Sequence, residues 1–302
     1  MNDKTTIFAY DSSYAGVSFI ADAITDNVIL CTRNRKDFDE MIHNKIIFEE
    51  KSKHVLSVIN STDHLIIFGI ISLSYIQHKH IIFPNIKKCT LIISDTTFKR
   101  NINRWNTYIK THKNIEVLIM PDLIRFLNTN IKYRPYYQHI NIDGVELQEK
   151  TNDVTISHSP GLKYKSNLKG TTGIIKVLQG YDLDVIHEVS WNECIRRKSK
   201  SHYFVDQIDI NGGIGYSGGL GKSGLEAMLL GCLTITDGQP IVTEPYFPNP
   251  PVVYANYSTL HSTIEYYINS KVQYDNVVKL QKEWAVKYLS KDFVKNNILN
   301  GE

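Results

Sequence analysis

The chain alternates short apolar segments with amphipathic ones along most of its length. The apolar segments are nearly continuous in hydrophobicity and end at polar or glycine-containing turns, which predicts strands that are buried on both faces. Amphipathic segments between them, such as residues 17–24, predict helices. This alternation is typical of a parallel sheet covered by helices. The strands predicted in the first half are residues 7–10, 28–31, 64–69, 90–94 and 116–120.

A polar stretch over residues 128–150 interrupts the pattern and predicts a linker. We therefore predict an α/β fold of two Rossmann-like domains facing a cleft, residues 1–150 and 151–302. Amphipathic helices from Ser258 onward are expected to pack back as closing helices. Ligands of such sheets bind at the carboxyl ends of the strands, so the cleft is the expected site. The strands predicted in the second half are residues 154–157, 183–186, 203–208 and 233–236.

Composition narrows the class of protein only slightly. The 302 residues suffice for two domains, and 42% hydrophobic with 22% charged residues is ordinary for a soluble globular protein. The net charge of +3 permits a polyanionic partner without demanding one. We expect no signal peptide and no membrane-spanning segment, hence a cytoplasmic protein of a bacterium or of a phage-infected cell. Four scattered cysteines without metal-ligand spacing agree with reduced thiols: Cys31, Cys89, Cys194 and Cys232.

The most distinctive segment is glycine-rich and covers residues 212–228. Its first thirteen residues contain seven glycines, between the predicted strand 203–208 and a predicted helix. Without side chains, the backbone N–H groups of such a turn can approach a ligand closely. The N-terminus of the following helix favours anions. The segment therefore predicts a phosphate-binding turn.

One interpretation of this turn is the dinucleotide fingerprint. Gly213-x-Gly215-x-x-Gly218 matches it, and Asp237 follows the next strand, where a ribose-binding acid belongs. This interpretation predicts an NAD-dependent oxidoreductase. Further glycines in the helix, each costing roughly 1 kcal/mol relative to alanine, argue against it. The chain remaining after the motif is also short for a full doubly wound sheet.

A second interpretation is a family resemblance. Residues 223–236, Ser-Gly-Leu-Glu-Ala-Met-Leu-Leu-Gly-Cys-Leu-Thr-Ile-Thr, resemble the donor-site signature of retaining, nucleotide-sugar-dependent glycosyltransferases with the GT-B fold. Residues 156–160 and 169–171 are similar to that family's strand end and to its Lys-Gly pair opening a helix. The resemblance covers residues 154–240, while the first half matches in architecture only. It implies a GT-B-like protein with an N-terminal acceptor domain and a C-terminal donor domain.

The resemblance also implies roles for individual residues. Glu226 would accept hydrogen bonds from the ribose hydroxyls, and Lys169 would pair with the diphosphate and act in catalysis. On this basis Glu226→Ala is expected to lose donor binding without loss of the fold. The phosphates would be held by the backbone of Gly219, Leu220 and Gly221. Further donor-binding candidates are Lys222, Ser223, His158 and Ser159.

One position departs from the family pattern. The family usually has an acid eight positions before the glutamate, in contact with the transferred sugar, and this chain has Gly218 there. The nearest acids upstream are Asp206 and Asp209. The departure leaves open a non-catalytic module that binds a nucleotide sugar or DNA.

The implied chemistry centres on a nucleoside diphosphate leaving group, with a UDP-sugar as the expected co-substrate. Negative charge grows on the diphosphate as the glycosidic bond breaks. Lys169 and the amides of the glycine turn would stabilise it electrostatically, so neither a metal nor another cofactor is expected. The resemblance implies transfer of a hexosyl or pentosyl group with retention of configuration. Domain closure would exclude water from the donor.

Candidate acceptor-side residues follow two strands of the first half. Asp11, Ser12, Ser13 and Gly16 form a turn after the first strand, and Asp95 ends another. Asp11 and Asp95 could orient an acceptor hydroxyl as catalytic acids, although such residues are more often helix N-caps.

The acceptor itself is left open between a hydroxymethylated base in DNA, a surface polysaccharide and a small metabolite. Bacteriophage enzymes of this fold glycosylate such bases, which would make this a DNA-modifying enzyme. The basic residues 33–36, 99–100 and Arg104 would then contact phosphates.

Two of the segments also have simpler, purely structural interpretations. Ser223-x-x-Glu226 is also a capping box, in which the glutamate would only satisfy the Ser223 N–H group. The basic run 196–200 is typical of the exposed face of a helix.

Overall fold

The fold is described from a computed structural model of the chain. The structure describes residues 5–10, 23–24, 28–31, 46–48, 61–69, 72, 87–93, 102–111, 115–127, 130–160, 169–208, 220–237 and 243–300. The chain divides into two compact units. The first contains residues 1–139 together with 291–302, and the second contains residues 140–290.

The first unit contains an all-parallel sheet whose described strands lie in the order β3-β2-β1-β4-β5-β6-β7. Strands β1 to β6 lie in the 3-2-1-4-5-6 order of a Rossmann sheet, and β7 extends it at one edge. The strands are β1 (Thr5–Tyr10), β2 (Val28–Cys31), β3 (Ile46–Phe48), β4 (His64–Phe68), β5 (Lys88–Ile93), β6 (Ile115–Ile119) and β7 (Tyr133–Pro135). Helix α1 (Ile102–Thr111) joins β5 to β6, and a 3-10 helix covers Pro121–Phe126. All five residues of β4 are buried, as the apolar run over residues 65–68 predicts for four of them.

The second unit contains another parallel sheet, in the order β12-β11-β10-β8-β9. Read from the other edge, this is the 2-1-3-4-5 order of a doubly wound sheet. The strands are β8 (Thr155–His158), β9 (Asp182–Val185), β10 (Tyr203–Val205), β11 (Leu233–Thr236) and β12 (Val253–Tyr254). The helices are α2 (Thr171–Val177), α3 (Trp191–Ser199), α4 (Lys222–Leu229), α5 (Leu260–Asn269) and α6 (Lys271–Tyr288).

The prediction of two parallel-sheet α/β units is confirmed, and each strand predicted from hydrophobicity has a counterpart in the structure. Within the described part of the chain, none of the helices combines the length and the apolar character needed to cross a membrane.

The bounds of the units differ from the predicted division at residues 150 and 151. The units divide after His139, and the last helix, α7 (Lys291–Leu299), belongs to the first unit. Val294 and Ile298 of α7 are buried in the first unit's core. Lys88 of β5 donates a hydrogen bond to the carbonyl of Leu299 at 2.7 Å. A sequence pattern shows that α7 is amphipathic but does not show which sheet its apolar face covers.

Arg134 of β7 links the sheet of the first unit to α7. Its guanidinium donates to the Glu116 carboxylate, with Nε 2.8 Å from Oε1, and to Oδ1 of Asn297 at 2.8 Å. We expect Arg134→Met to lower the free energy of unfolding of the first unit by about 1–3 kcal/mol, because Glu116 and Asn297 lose a charged donor. Urea denaturation would measure the change, with exposed Lys132→Met as the matched control. Equal effects of the two substitutions would contradict this role.

Candidate functional site

The topology of the second sheet indicates where a ligand would bind. The order of the strands reverses between β8 and β10, which pair directly with each other. In open parallel sheets, ligands bind outside the carboxyl ends of the strands at such a switch point. His158 is the last residue of β8, and Asp206 follows β10 directly. The residues that follow these two strands therefore form the candidate site.

Asp206 connects two of the predicted site segments. Its side chain is fully buried, and its Oδ1 lies 2.9 Å from the Lys169 ammonium. Its Oδ2 accepts a hydrogen bond from the backbone N–H of Gly221 at 2.6 Å. A buried carboxylate needs such partners, because an unpaired charge is costly to bury. Sequence reasoning noted Asp206 only as an upstream acid. Its signal in the sequence is an acidic residue directly after the apolar residues 203–205, inside the strand predicted over residues 203–208.

Two glycines of the glycine-rich segment allow Asp206 to approach the backbone closely. A Cβ atom at Gly224 would lie 3.0 Å from Oδ2 of Asp206 and 2.5 Å from Cδ1 of Leu220, which is itself buried. A Cβ atom at Gly221 would lie 3.1 Å from the same carboxylate oxygen. Close packing against Asp206 within the protein therefore explains why glycine stands at these two positions. The Gly221 N–H group, predicted to hold a phosphate, is bonded to Asp206.

Glu226 lies within α4 with only 3% of its surface exposed. The Trp191 indole N–H donates to its Oε1 at 2.9 Å, and the Lys198 ammonium donates to its Oε2 at 2.6 Å. Burial alone would raise the pKa of Glu226, but the positive charges of Lys198 and Lys222 and these hydrogen bonds lower it below its usual value. The carboxylate is therefore ionised at neutral pH and held on two sides.

The capping-box interpretation does not describe this glutamate. The N-cap of α4 is Gly221, without a side-chain capping bond, and Ser223 already lies inside the helix. Lys222 is more exposed than Lys198, the other lysine paired with Glu226. Its Nζ atom is 3.8 Å from Oε1 of Glu226 and 6.0 Å from the centroid of the Trp191 ring. Burial, followed by the charge of Lys198, lowers the pKa of the Lys222 ammonium, and Glu226 opposes this shift.

The prediction that the basic run 196–200 lies on an exposed face is wrong for Lys198. This side chain is fully buried, with its Nζ 5.0 Å from the centroid of the Phe204 ring. Burial alone would lower its pKa, but the Glu226 carboxylate raises the pKa above its usual value. Arg197 forms a bidentate pair with Asp184. A run of like charges is typical of solvent exposure. The local pattern did not show that Lys198 is buried, because its partner Glu226 is 28 residues away in the sequence.

His158 is engaged by protein groups at both ring nitrogens. Nδ1 lies 2.7 Å from the carbonyl oxygen of Val205, which can only accept, so Nδ1 carries the proton. Nε2 lies 2.8 Å from the Thr171 hydroxyl and accepts its hydrogen. Burial lowers the pKa of His158 to about 4, so the ring is neutral. Neighbouring Ser159 is buried as well, with its Oγ 3.9 Å from the sulfur of Cys194.

The candidates Lys169, Gly221, Lys222 and Glu226 lie in two groups that meet at the start of α4. Asp206 joins Lys169 to the N–H group of Gly221, and Glu226 pairs with Lys222 and Lys198. The two groups are connected through the Gly221–Lys222 peptide. Within the described ranges, no group of three or more His, Cys, Asp or Glu side chains is arranged to hold a metal ion. The amide of Asp237, the acid of the dinucleotide interpretation, donates to the carbonyl of Gln207 at 2.9 Å. Candidates that lie outside the described residues are Asp11, Ser12, Ser13, Gly16, Asp95, Gly213, Gly215, Gly218 and Gly219.

Two Rossmann-like units with these sheet orders define the fold as the GT-B type found in glycosyltransferases. Among solved structures, the chain is similar to Anabaena HepE in complex with UDP-glucose, with a TM-score of 0.71 and 11% identity over 98% of each chain. It is also similar to a Rickettsia africae glycosyltransferase, with a TM-score of 0.64 and 12% identity over 100% of both chains. Sucrose-phosphate synthase from Thermosynechococcus elongatus gives a TM-score of 0.63 and 9% identity, covering 97% of this chain and 96% of that one. No protein-family model and no curated protein matches the sequence.

Proposed function

We propose that this protein is a glycosyltransferase that moves a sugar from a nucleoside diphosphate sugar to an acceptor hydroxyl. The second unit would bind the donor. The observation that carries the proposal is the whole-length similarity to HepE, whose structures contain UDP-glucose or UDP. It is supported by the two groups that contain Lys169, Lys222 and Glu226 beyond the switch point of the second sheet.

Lys169 is the residue we assign to the diphosphate. An ammonium has three donors, and Asp206 takes one of them, which leaves donors for phosphate oxygens. The first turn of α4 adds N–H groups and the positive end of the helix dipole. Together these groups would stabilise the charge that develops on the leaving diphosphate. We propose on this basis a UDP-sugar donor, transfer of a hexosyl or pentosyl group with retention, and no requirement for a metal or other cofactor.

The acceptor would be bound by the first unit. Asp11 or Asp95 would orient its hydroxyl, beside Ser12, Ser13 and Gly16. We propose a hydroxymethylated DNA base or a glycan as the acceptor. Support for DNA among the described basic residues comes from Arg104, which is exposed on α1. Transfer of radiolabelled sugar to hydroxymethylcytosine-containing DNA, compared with unmodified DNA, would decide between these acceptors.

A thermal-shift panel with UDP, GDP, UDP-glucose, NAD and ATP in the presence of EDTA tests the donor proposal. A ligand at 100 times its dissociation constant adds roughly 2.7 kcal/mol to stability. We expect a nucleoside diphosphate or its sugar to stabilise the protein, and Lys169→Gln to weaken this effect. The glutamine amide would keep a hydrogen-bond donor for Asp206 but would lack the positive charge. Exposed Lys176→Gln is the matched control.

The other outcomes separate the competing functions. Stabilisation by NAD alone would favour the oxidoreductase interpretation and overturn the proposal. Saturable binding of a nucleotide sugar without sugar transfer or donor hydrolysis would indicate a non-catalytic module. Where turnover occurs with EDTA present, proton NMR of the product anomer tests retention.

A further inference from the structure

Helix α6 has one buried face and one exposed face. The buried face is formed by Gln281, Trp284, Ala285 and Tyr288. The exposed side nevertheless carries three large apolar side chains with more than half of their surface exposed: Val272 at 72%, Leu280 at 55% and Val286 at 53%. Single apolar residues are ordinary on a protein surface, whereas several on one helix indicate a surface that another molecule covers.

Charged side chains run along the middle of this exposed side at a regular spacing of four residues. Their sign alternates along the helix, in the order Asp275, Lys279, Glu283 and Lys287. Residues four apart form one ridge on the surface of a helix. The neighbouring ridges carry Val272 and Leu280 on one side and Val286 on the other. The exposed face of α6 is therefore a charged ridge flanked by apolar side chains.

Ion pairs within the helix leave most of this charge accessible. Nζ of Lys279 lies 3.9 Å from Oε1 of Glu283, and the two side chains are 72% and 61% exposed. The lysine precedes the glutamate, which is the weaker order for a pair at this spacing. Exposed pairs of this kind contribute little to stability. Both charges can therefore still interact with a partner molecule.

The alternation of sign along the ridge is self-complementary for two antiparallel helices. A two-fold axis level with residue 281, the midpoint of the ridge, exchanges position 275 with 287 and position 279 with 283. Lys279 would then face the partner's Glu283, and Asp275 would face the partner's Lys287. Each facing pair has opposite charges, as an interface that uses the same patch on both copies requires. Packing of such ridges from both helices is the commonest arrangement of helix pairs.

We propose that the exposed face of α6 is an interface between two copies of this chain, which pair their α6 helices antiparallel about a two-fold axis. This inference uses no residue of the candidate site and does not depend on the proposed function. The helix is about 27 Å long, so the pair would bury less than the roughly 800 Å² per partner of a standard interface. The dimer is therefore weak and reversible, and the exposed charges at its centre make it sensitive to salt.

Sedimentation velocity of the full chain from about 5 to 500 µM tests the inference. We expect a shift from monomer to dimer across this range at about 50 mM NaCl, and a weaker shift at about 500 mM. Lys279→Glu should weaken self-association about tenfold or more, because it places two pairs of like charges across the two-fold axis. Glu283→Lys should do the same. Lys176→Glu reverses an exposed charge on α2 and is the matched control.

Mixing the two variants provides the decisive comparison. A dimer of one Lys279→Glu chain and one Glu283→Lys chain has opposite charges at both central contacts, so the mixture should dimerise although each variant alone does not. Recovery in the mixture also shows that both variants are folded. A mixture that stays monomeric, or a Lys279→Glu chain that dimerises like the natural one, would overturn the inference. A natural chain that is monomeric at every concentration would overturn it as well, including one that binds phosphatidylserine vesicles through this face instead.

Discussion

Replacing Glu226 by alanine is expected to destabilise the second unit by about 3–5 kcal/mol, because Lys198 would be left as a buried and unpaired charge. A loss of this size is a large part of the stability of an ordinary domain. It differs from the sequence-based expectation that Glu226→Ala would lose donor binding and keep the fold. A measurement of donor binding with this variant alone would confuse a missing ribose contact with a damaged domain.

Urea denaturation followed by circular dichroism would measure this effect. Glu283→Ala is the matched control, since Glu283 lies on an exposed face of α6 and should matter by less than about 0.5 kcal/mol. The double variant Glu226→Gln with Lys198→Met should recover most of the loss, because it removes both charges. That variant is the appropriate one for testing donor binding. If Glu226→Ala proved as stable as Glu283→Ala, the burial of Lys198 would be contradicted.

Acidification is expected to cost the protein about 3 kcal/mol through His158 alone. Burial, with a smaller effect of the Lys169 charge, lowers the pKa of His158 from 6.5 to about 4, although the Val205 carbonyl and Asp206 oppose this shift. Between these values the unfolded chain takes up a proton that the folded chain does not. Stability from this group is therefore complete above pH 6.5 and is lost progressively as the pH falls to about 4.

The free energy of unfolding measured from pH 7.5 to 4 would test this prediction against His158→Asn. The asparagine amide can still donate to Val205, so the variant should fold with reduced stability at neutral pH. The difference in free energy of unfolding between the natural chain and His158→Asn should shrink by up to about 3 kcal/mol on acidification. His187→Asn is the matched control, because it removes a partly exposed imidazole. A constant difference between the natural chain and His158→Asn would show that His158 does not titrate in this range.

Much of the fold could be predicted because its signals are local. Residues 65–68 of β4 form a continuous apolar segment, which a strand buried on both faces requires. The helix carrying Glu226 could be predicted in the same way. The final helix α7 could not be assigned to the first unit, because an amphipathic pattern does not specify the sheet against which it packs.

The sequence by itself determined the two parallel sheets and the helix that carries Lys222 and Glu226. Only the tertiary structure decided the partners of the site residues. It placed Lys198 in the core beside Glu226, made Asp206 the link between Lys169 and Gly221, and occupied both nitrogens of His158. The physical reason is that strand and helix patterns depend on neighbours in the sequence, whereas the cost of burying a charge depends on neighbours in space.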